Sequence, residues 1–368
     1  MGALSHLVDR LLHTTPRSRA VAGAEAVALH RNSPVVDLVV GTALFRPTFL
    51  TRVGHGHVDL PRLREGGVNL VGLTIATRHP DLRGTLSKIH FRSLGMPAAA
   101  RRSNMSIAEW LIERIEGWSV ASAGELRIVR TSADLAACLR PGGPVGAFIG
   151  VQGGHVLDGD LANIERLHAL GVRMLAPAHV MDNTLVGSGT GRGRGGLTGY
   201  GREVVRALED VGILVDLAHM SRPAIVDSLR VVRRPFVLSH TGFVETSGRS
   251  SRWRKYSAAT RNIPVSLAGE VAAAGGVVGV VLATQLLGGS GLGHASAALR
   301  LALSVAGGDR VAIGSDLDGG LRTVVDAGGL PLLTDRLLAD GVDAADVGAL
   351  LGANALRVLR TVLPPPAA

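Results

Sequence analysis

Lysine is almost absent from this chain: of its 39 basic residues only Lys88 and Lys255 are lysine. The formal charge of +9 is therefore an arginine charge in an Ala/Gly-rich sequence, a bias that coding composition produces as readily as function does. It favours acidic ligands weakly, and no nucleic-acid partner is implied. Cysteine is limited to Cys138, which excludes an intrachain disulfide framework and fits a reducing compartment. Aromatic residues make up 3% of the chain, so small and β-branched side chains must fill the interior, as in sheets covered by close-packed helices. No apolar run approaches the roughly 18 residues of a membrane span. The first residues, MGALSHLVDRLLHTT, read as a short amphipathic helix broken by Asp9 and Arg10 rather than a signal peptide, which makes the cytoplasm the expected location.

What is present is a rhythm of short β-branched runs. Strands are expected at Val35–Val40, Val68–Ala76, Val145–Val151, Val172–Pro177, Ile213–Ala218, Phe236–Ser239, Val277–Ala283 and Arg310–Gly314. Helical spacing lies between them at Ser106–Ala121, Leu161–Leu170, Gly201–Val211, Ala224–Leu229, Leu267–Ala274 and Ala295–Val305, with a terminal helix over Asp343–Leu359. Eight βα units point to a closed (β/α)8 TIM-type barrel over residues 34–362, with a helical extension over 1–33 and a short tail over 363–368. An open doubly wound sheet is the runner-up, but its Gly-rich fingerprint is missing after the first strand. The glycine-rich GSGTGRGRGGLTGYG (187–201) is no P-loop, since no Gly-Lys-Ser/Thr follows a strand. It reads as a βα loop, and Arg249, Arg252, Arg254 and Lys255 read as a solvated basic cluster.

Barrel active sites sit at the C-terminal ends of the strands. Gln152 and His155 follow the third run, His179 the fourth, His219 the fifth, His240 the sixth and Asp316 the eighth, with Arg261 in the loop beyond His240. Three histidines on consecutive strands with an aspartate closing the ring imply a shared polar site. His6, His13 and His30 precede the barrel and carry no sign of chemistry.

With those residues in view, the chain resembles the membrane (renal) dipeptidase family of zinc peptidases. The motifs are LVDLAHMS at His219, VLSHTG at His240, TRNIP at Arg261, IGSDLDGG at Asp316, GHVDLPRLREGG before the second strand, GLTGYGREVVRAL and LLGANALRVL. They run in order from Pro34 to Arg360. The resemblance implies an amidohydrolase-like barrel with two zinc ions bridged by a glutamate. It makes His219 and His240 ligands of one ion, Asp316 a ligand and proton acceptor, and His179 and Arg261 the groups that grip the substrate carbonyl and carboxylate. It also implies a homodimer. Three ligand positions depart from it: Val39 stands where a histidine belongs, Gly41 where an aspartate belongs, and Gln152 where the bridging glutamate belongs. Valine and glycine offer no lone pair, and a neutral amide cannot bridge two dications.

The expectation is a hydrolase with at most one zinc ion, held by His219 and His240 with Gln152, Asp316 or water completing the set, acting on a small dipeptide-like or amide substrate that carries a carboxylate. The alternative is a metal-free barrel, repurposed for ligand binding or for non-hydrolytic acid–base chemistry such as a rearrangement or cyclisation. The eye-catching GHGHVDL (54–60) aligns with a connecting element, so His57 and Asp59 are expected to be structural. Asp318 either orients the site or caps the Asp-Gly-Gly turn.

Overall fold

The computed structural model describes residues 10–11, 13–14, 20–80, 86–88, 91–92, 94–247 and 258–365. The basic cluster at Arg249–Lys255 and most of the N-terminal amphipathic stretch lie outside them. The eight expected strands are all present: β1 Val36–Val40, β2 Leu70–Ala76, β3 Val145–Gln152, β4 Val172–Ala176, β5 Leu214–Val215, β6 Val237–Thr241, β7 Val277–Val280 and β8 Val311–Ile313. All pairings among them are parallel, in the circular order β5-β4-β3-β2-β1-β8-β7-β6. A parallel bridge between Asp216 and Val237 joins β5 to β6 and closes the ring. An additional strand, Leu126–Ile128, pairs with β3 outside it.

β-Branched side chains that alternate along each strand build two apolar layers. Val36, Leu38, Val39, Phe148, Met174, Leu214, Val237 and Ala312 belong to the inner one, with Ala355, Leu356 and Leu359 packed at its floor. Val71, Leu73 and Ile75 belong to the outer one, under the helices. A register shift in β1 between Asp37 and Val40 puts Leu38 and Val39 on the same side.

The expected helices appear within a few residues of their predicted bounds, among them Asn104–Ala121, Gly199–Val211 and Leu292–Ala306. The C-terminal one changes its winding along its length. Ala344–Gly348 passes through a π-turn at Ala349–Ala353 into Asn354–Leu359, and the Asn354 amide donates to the carbonyls of Gly308 and Val311 at 2.7 and 2.8 Å. The wider turn delivers that amide to the strand entrance. Of the segment before the barrel, Ala24–Asn32 is helical and docks through His30, whose ring nitrogens meet Thr334 Oγ1 at 3.0 Å and the Gly66 carbonyl at 2.6 Å. Cys138 ends the helix Ser132–Cys138 and is buried, as expected for a small packing residue. No described helix is long and apolar enough to cross a membrane.

Candidate active site

Gln152, His179, His219 and His240 leave neighbouring strands β3 to β6 and meet at the C-terminal mouth. Each is between 0% and 9% exposed. The His179 and His219 rings lie edge to face with centroids 4.9 Å apart, and His219 and His240 follow at 4.8 Å. The Nε2 atoms of His219 and His240 point at each other across 2.9 Å, and the Gln152 amide nitrogen lies 3.5 Å from His240 Nε2. At that separation the two nitrogens share one proton in a direct hydrogen bond.

The protons on these rings follow from their surroundings. Asp216 at the end of β5 accepts the Ala218 and Ser239 amides, each at 2.9 Å, and the Ser239 hydroxyl at 2.6 Å. With its proton spent on Asp216, the Ser239 oxygen accepts from His240 Nδ1–H at 2.8 Å. His240 Nε2 is thereby left as a bare lone pair, the form that ligates metals. His219 Nδ1 is buried without a hydrogen-bond partner among the described residues. Burial, and then the Arg261 charge, hold both rings well below the ordinary histidine range, so both are neutral. If Ser239 fixes the ligating tautomer, Ser239→Ala weakens zinc binding about 10–100-fold. Competition against a chromophoric chelator measures this, and an unchanged affinity would remove the role assigned to Ser239.

The same clamp recurs across the barrel. Asp37 of β1 accepts the Ser315 amide at 2.9 Å and the Ser315 hydroxyl, just as Asp216 holds Ser239. Each clamped serine immediately precedes a site residue, His240 in one case and Asp316 in the other. Asp37, fully buried, is pushed up to about 7 by its desolvation.

Asp316 stands apart from the histidine pair. Among the described residues no three His, Cys, Asp or Glu side chains form a set able to hold a metal ion, so Asp316 does not complete a triad with His219 and His240. Burial pushes its carboxyl up to about 6, against the opposing charge of Arg261. Arg261 is buried, donates to the His240 carbonyl at 2.7 Å, and remains cationic although desolvation brings it down to about 10.

The three altered ligand positions differ in what surrounds them. Val39 packs in the inner apolar cluster. A Cβ on Gly41 would sit 2.6 Å from the Asp318 carbonyl oxygen and 2.9 Å from Gly319 Cα, so backbone fills the volume a longer side chain would need. Gln152 alone reaches the histidines. Val39 and Gly41 thus offer no donor atom, and Gln152 offers a neutral amide.

The surrounding loops supply what the sequence reading missed. The glycine-rich segment is a brace: the Ser188 hydroxyl donates to the His179 carbonyl, and the Gly189 amide donates to the His219 carbonyl at 2.8 Å. Its amides at Ser188, Gly193 and Arg194 are spent on Asp182, which leaves no cradle for a phosphate. Asp318 is a buried hub. It accepts from the His57 amide at 2.7 Å, the Val58 amide at 3.1 Å and Thr42 Oγ1 at 2.9 Å, and it pairs with Arg46. Thus His57 is structural, as is Asp59, which caps the helix Leu60–Glu65. His155 lies beside Gly153, with Nε2 buried and unpartnered among the described residues. His219, Asp316 and Asp318 all adopt positive φ, at 64°, 58° and 57°, and such strained backbone in non-glycine residues gathers at sites.

A (β/α)8 barrel with a histidine cluster and an aspartate at its mouth defines an amidohydrolase-like architecture. The sequence profile of membrane dipeptidases (Peptidase family M19) matches residues 23–363, and the chain belongs to that family. It is 30% identical to mouse (Mus musculus) dipeptidase 3 over 359 residues, a match covering 92% of this chain and 66% of the mouse protein. Among solved structures, it resembles a metallopeptidase from Rhodobacter sphaeroides bound to a phosphinate mimic of the dipeptide L-Ala-D-Ala (24% identity, TM-score 0.75, covering 90% of this chain and 99% of that one). The probable dipeptidase PvdM from Pseudomonas aeruginosa is similar as well (18% identity, TM-score 0.76, covering 92% and 97%).

Proposed function

We propose that this chain is a single-metal member of its family, a hydrolase of small dipeptide-like or amide substrates that carry a carboxylate. The observation that carries the reading is the convergence of the His219 and His240 Nε2 atoms, with Ser239 fixing the His240 tautomer. These two rings would hold one zinc ion, with the Gln152 carbonyl oxygen (the amide turned about) or water completing the set. When bound, zinc supplies Lewis acidity to a carbonyl and to a water.

The protein's own groups do the rest. Asp316, buried and raised to about 6, is basic enough to take a proton at neutral pH and acidic enough to return it to a leaving amine. His179, stacked edge-on to His219, polarises the substrate carbonyl. Arg261 pairs with the substrate carboxylate. Its charge survives burial, and its hydrogen bond to the His240 backbone fixes the distance between carboxylate and scissile bond.

One observation favours the metal-free alternative: the two histidines already satisfy one another, and no acidic side chain joins them. The test is a panel of free dipeptides, N-acyl amino acids and their decarboxylated analogues, assayed with zinc and after chelation. Zinc-dependent cleavage confined to carboxylate-bearing substrates is expected. Turnover that survives chelation, or none on any member, would overturn the reading.

A further inference from the structure

His13, which lies before the family match begins at residue 23, is drawn into the mouth of the barrel. It is fully buried. Its carbonyl accepts the Gly56 amide at 2.7 Å, and its ring stands edge-on to Phe45 at 4.7 Å and to His57 at 5.5 Å. Its Nε2 accepts the Gly320 amide at 3.0 Å. Next door, His57 Nδ1 accepts the Asp318 amide at 3.2 Å, and the intervening Gly319 amide returns to the Asp316 carbonyl at 3.0 Å. Two imidazoles therefore grip alternate amides of the turn that carries Asp316. That turn is tight: a Cβ on Gly319 would collide with Asp316 Oδ1, so the carboxylate lies directly against the gripped backbone.

We propose that His13 is a positioning residue of the site, holding the Asp316–Gly320 turn, and with it the Asp316 carboxylate, on the side of the mouth where Val39 and Gly41 supply no ligand. A second dication in that region would pin Asp316 and offset its charge. Here a buried imidazole from outside the barrel fixes the turn instead, and Arg261 supplies the charge.

The direct test needs neither metal nor substrate, so it stands whether or not zinc-dependent hydrolysis is found. In uniformly 15N-labelled wild-type protein, a scalar coupling across the hydrogen bond is expected between the Gly320 amide nitrogen and His13 Nε2, and its absence would overturn the assignment. His13→Leu fills similar space without an acceptor, whereas His13→Gln restores one. The Leu variant should exchange the Gly320 amide at least about tenfold faster, with β3 amides unchanged, and should shift the 13C carboxyl signal of Asp316. The Gln variant should return both toward wild type. Equal behaviour of the two variants, or a carboxyl signal that ignores both, would reduce His13 to packing.

Discussion

Asp318→Ala should cost about 3–5 kcal/mol of folding stability, the range expected when one partner of a buried ion pair is removed. Asp318 is wholly buried and pairs with Arg46, itself 2% exposed, while accepting the amides of His57 and Val58 and the Thr42 hydroxyl. Alanine would strand a guanidinium and two amides in the interior. The loss would be read by urea denaturation. Arg46→Met in the Asp318→Ala background should recover part of it, since the stranded charge is then gone. A loss under about 1 kcal/mol would mean that the pair is solvated and that the hub does not organise the mouth.

The second large effect falls on activity. Asp316→Asn should lower kcat about 10²–10⁴-fold, the usual contribution of a positioned general base, with little change in stability because the amide keeps the volume. The sign of the pH dependence follows from burial. The base must be ionised to act; its carboxyl is raised to about 6 without metal and lies lower with zinc bound, so wild-type activity falls as pH drops below about 6. In metal-free protein the 13C carboxyl signal of Asp316 should titrate near 6, and added zinc should move the midpoint lower, because a nearby dication favours the carboxylate. An Asp316→Asn enzyme within threefold of wild type would assign the proton transfer elsewhere.

The strands were legible because β-branched runs between helical patterns admit few other readings, and the barrel follows from eight of them. Gln152, His179, His219 and His240 were legible as a cluster because they follow consecutive strands, which the structure brings to one mouth. The supports were harder to read, since they join residues far apart in the chain. Asp37 reaches Ser315 across 278 positions and His13 reaches Gly320 across 307. A serine precedes both His240 and Asp316, but Val-Asp-Leu, which holds Asp37 and Asp216, occurs also at 58–60, where Asp59 caps a helix, so the tripeptide alone does not mark the clamps. No local pattern marks His13, whose role exists only through the backbone it meets. On composition the glycine-rich segment reads as a loop, but its function as a brace depends on which carbonyls its amides find. The terminal helix expected over Asp343–Leu359 is present, and sequence did not mark the π-turn at Ala349–Ala353 within it, after which the Asn354 side chain meets the Gly308 carbonyl.

The clustering of the altered ligands has a structural counterpart. Val39 belongs to the apolar interior, and the volume beside Gly41 is occupied by the Asp318–Gly319 backbone. Restoring a carboxylate at position 41 would therefore require the turn that His13 and His57 grip to shift.

The measurement that tests the account most directly is zinc stoichiometry by plasma mass spectrometry after dialysis against added zinc, with His219→Ala beside the wild type. One equivalent in the wild type and none in the variant is the predicted result. Two equivalents, or none in either protein, would contradict it.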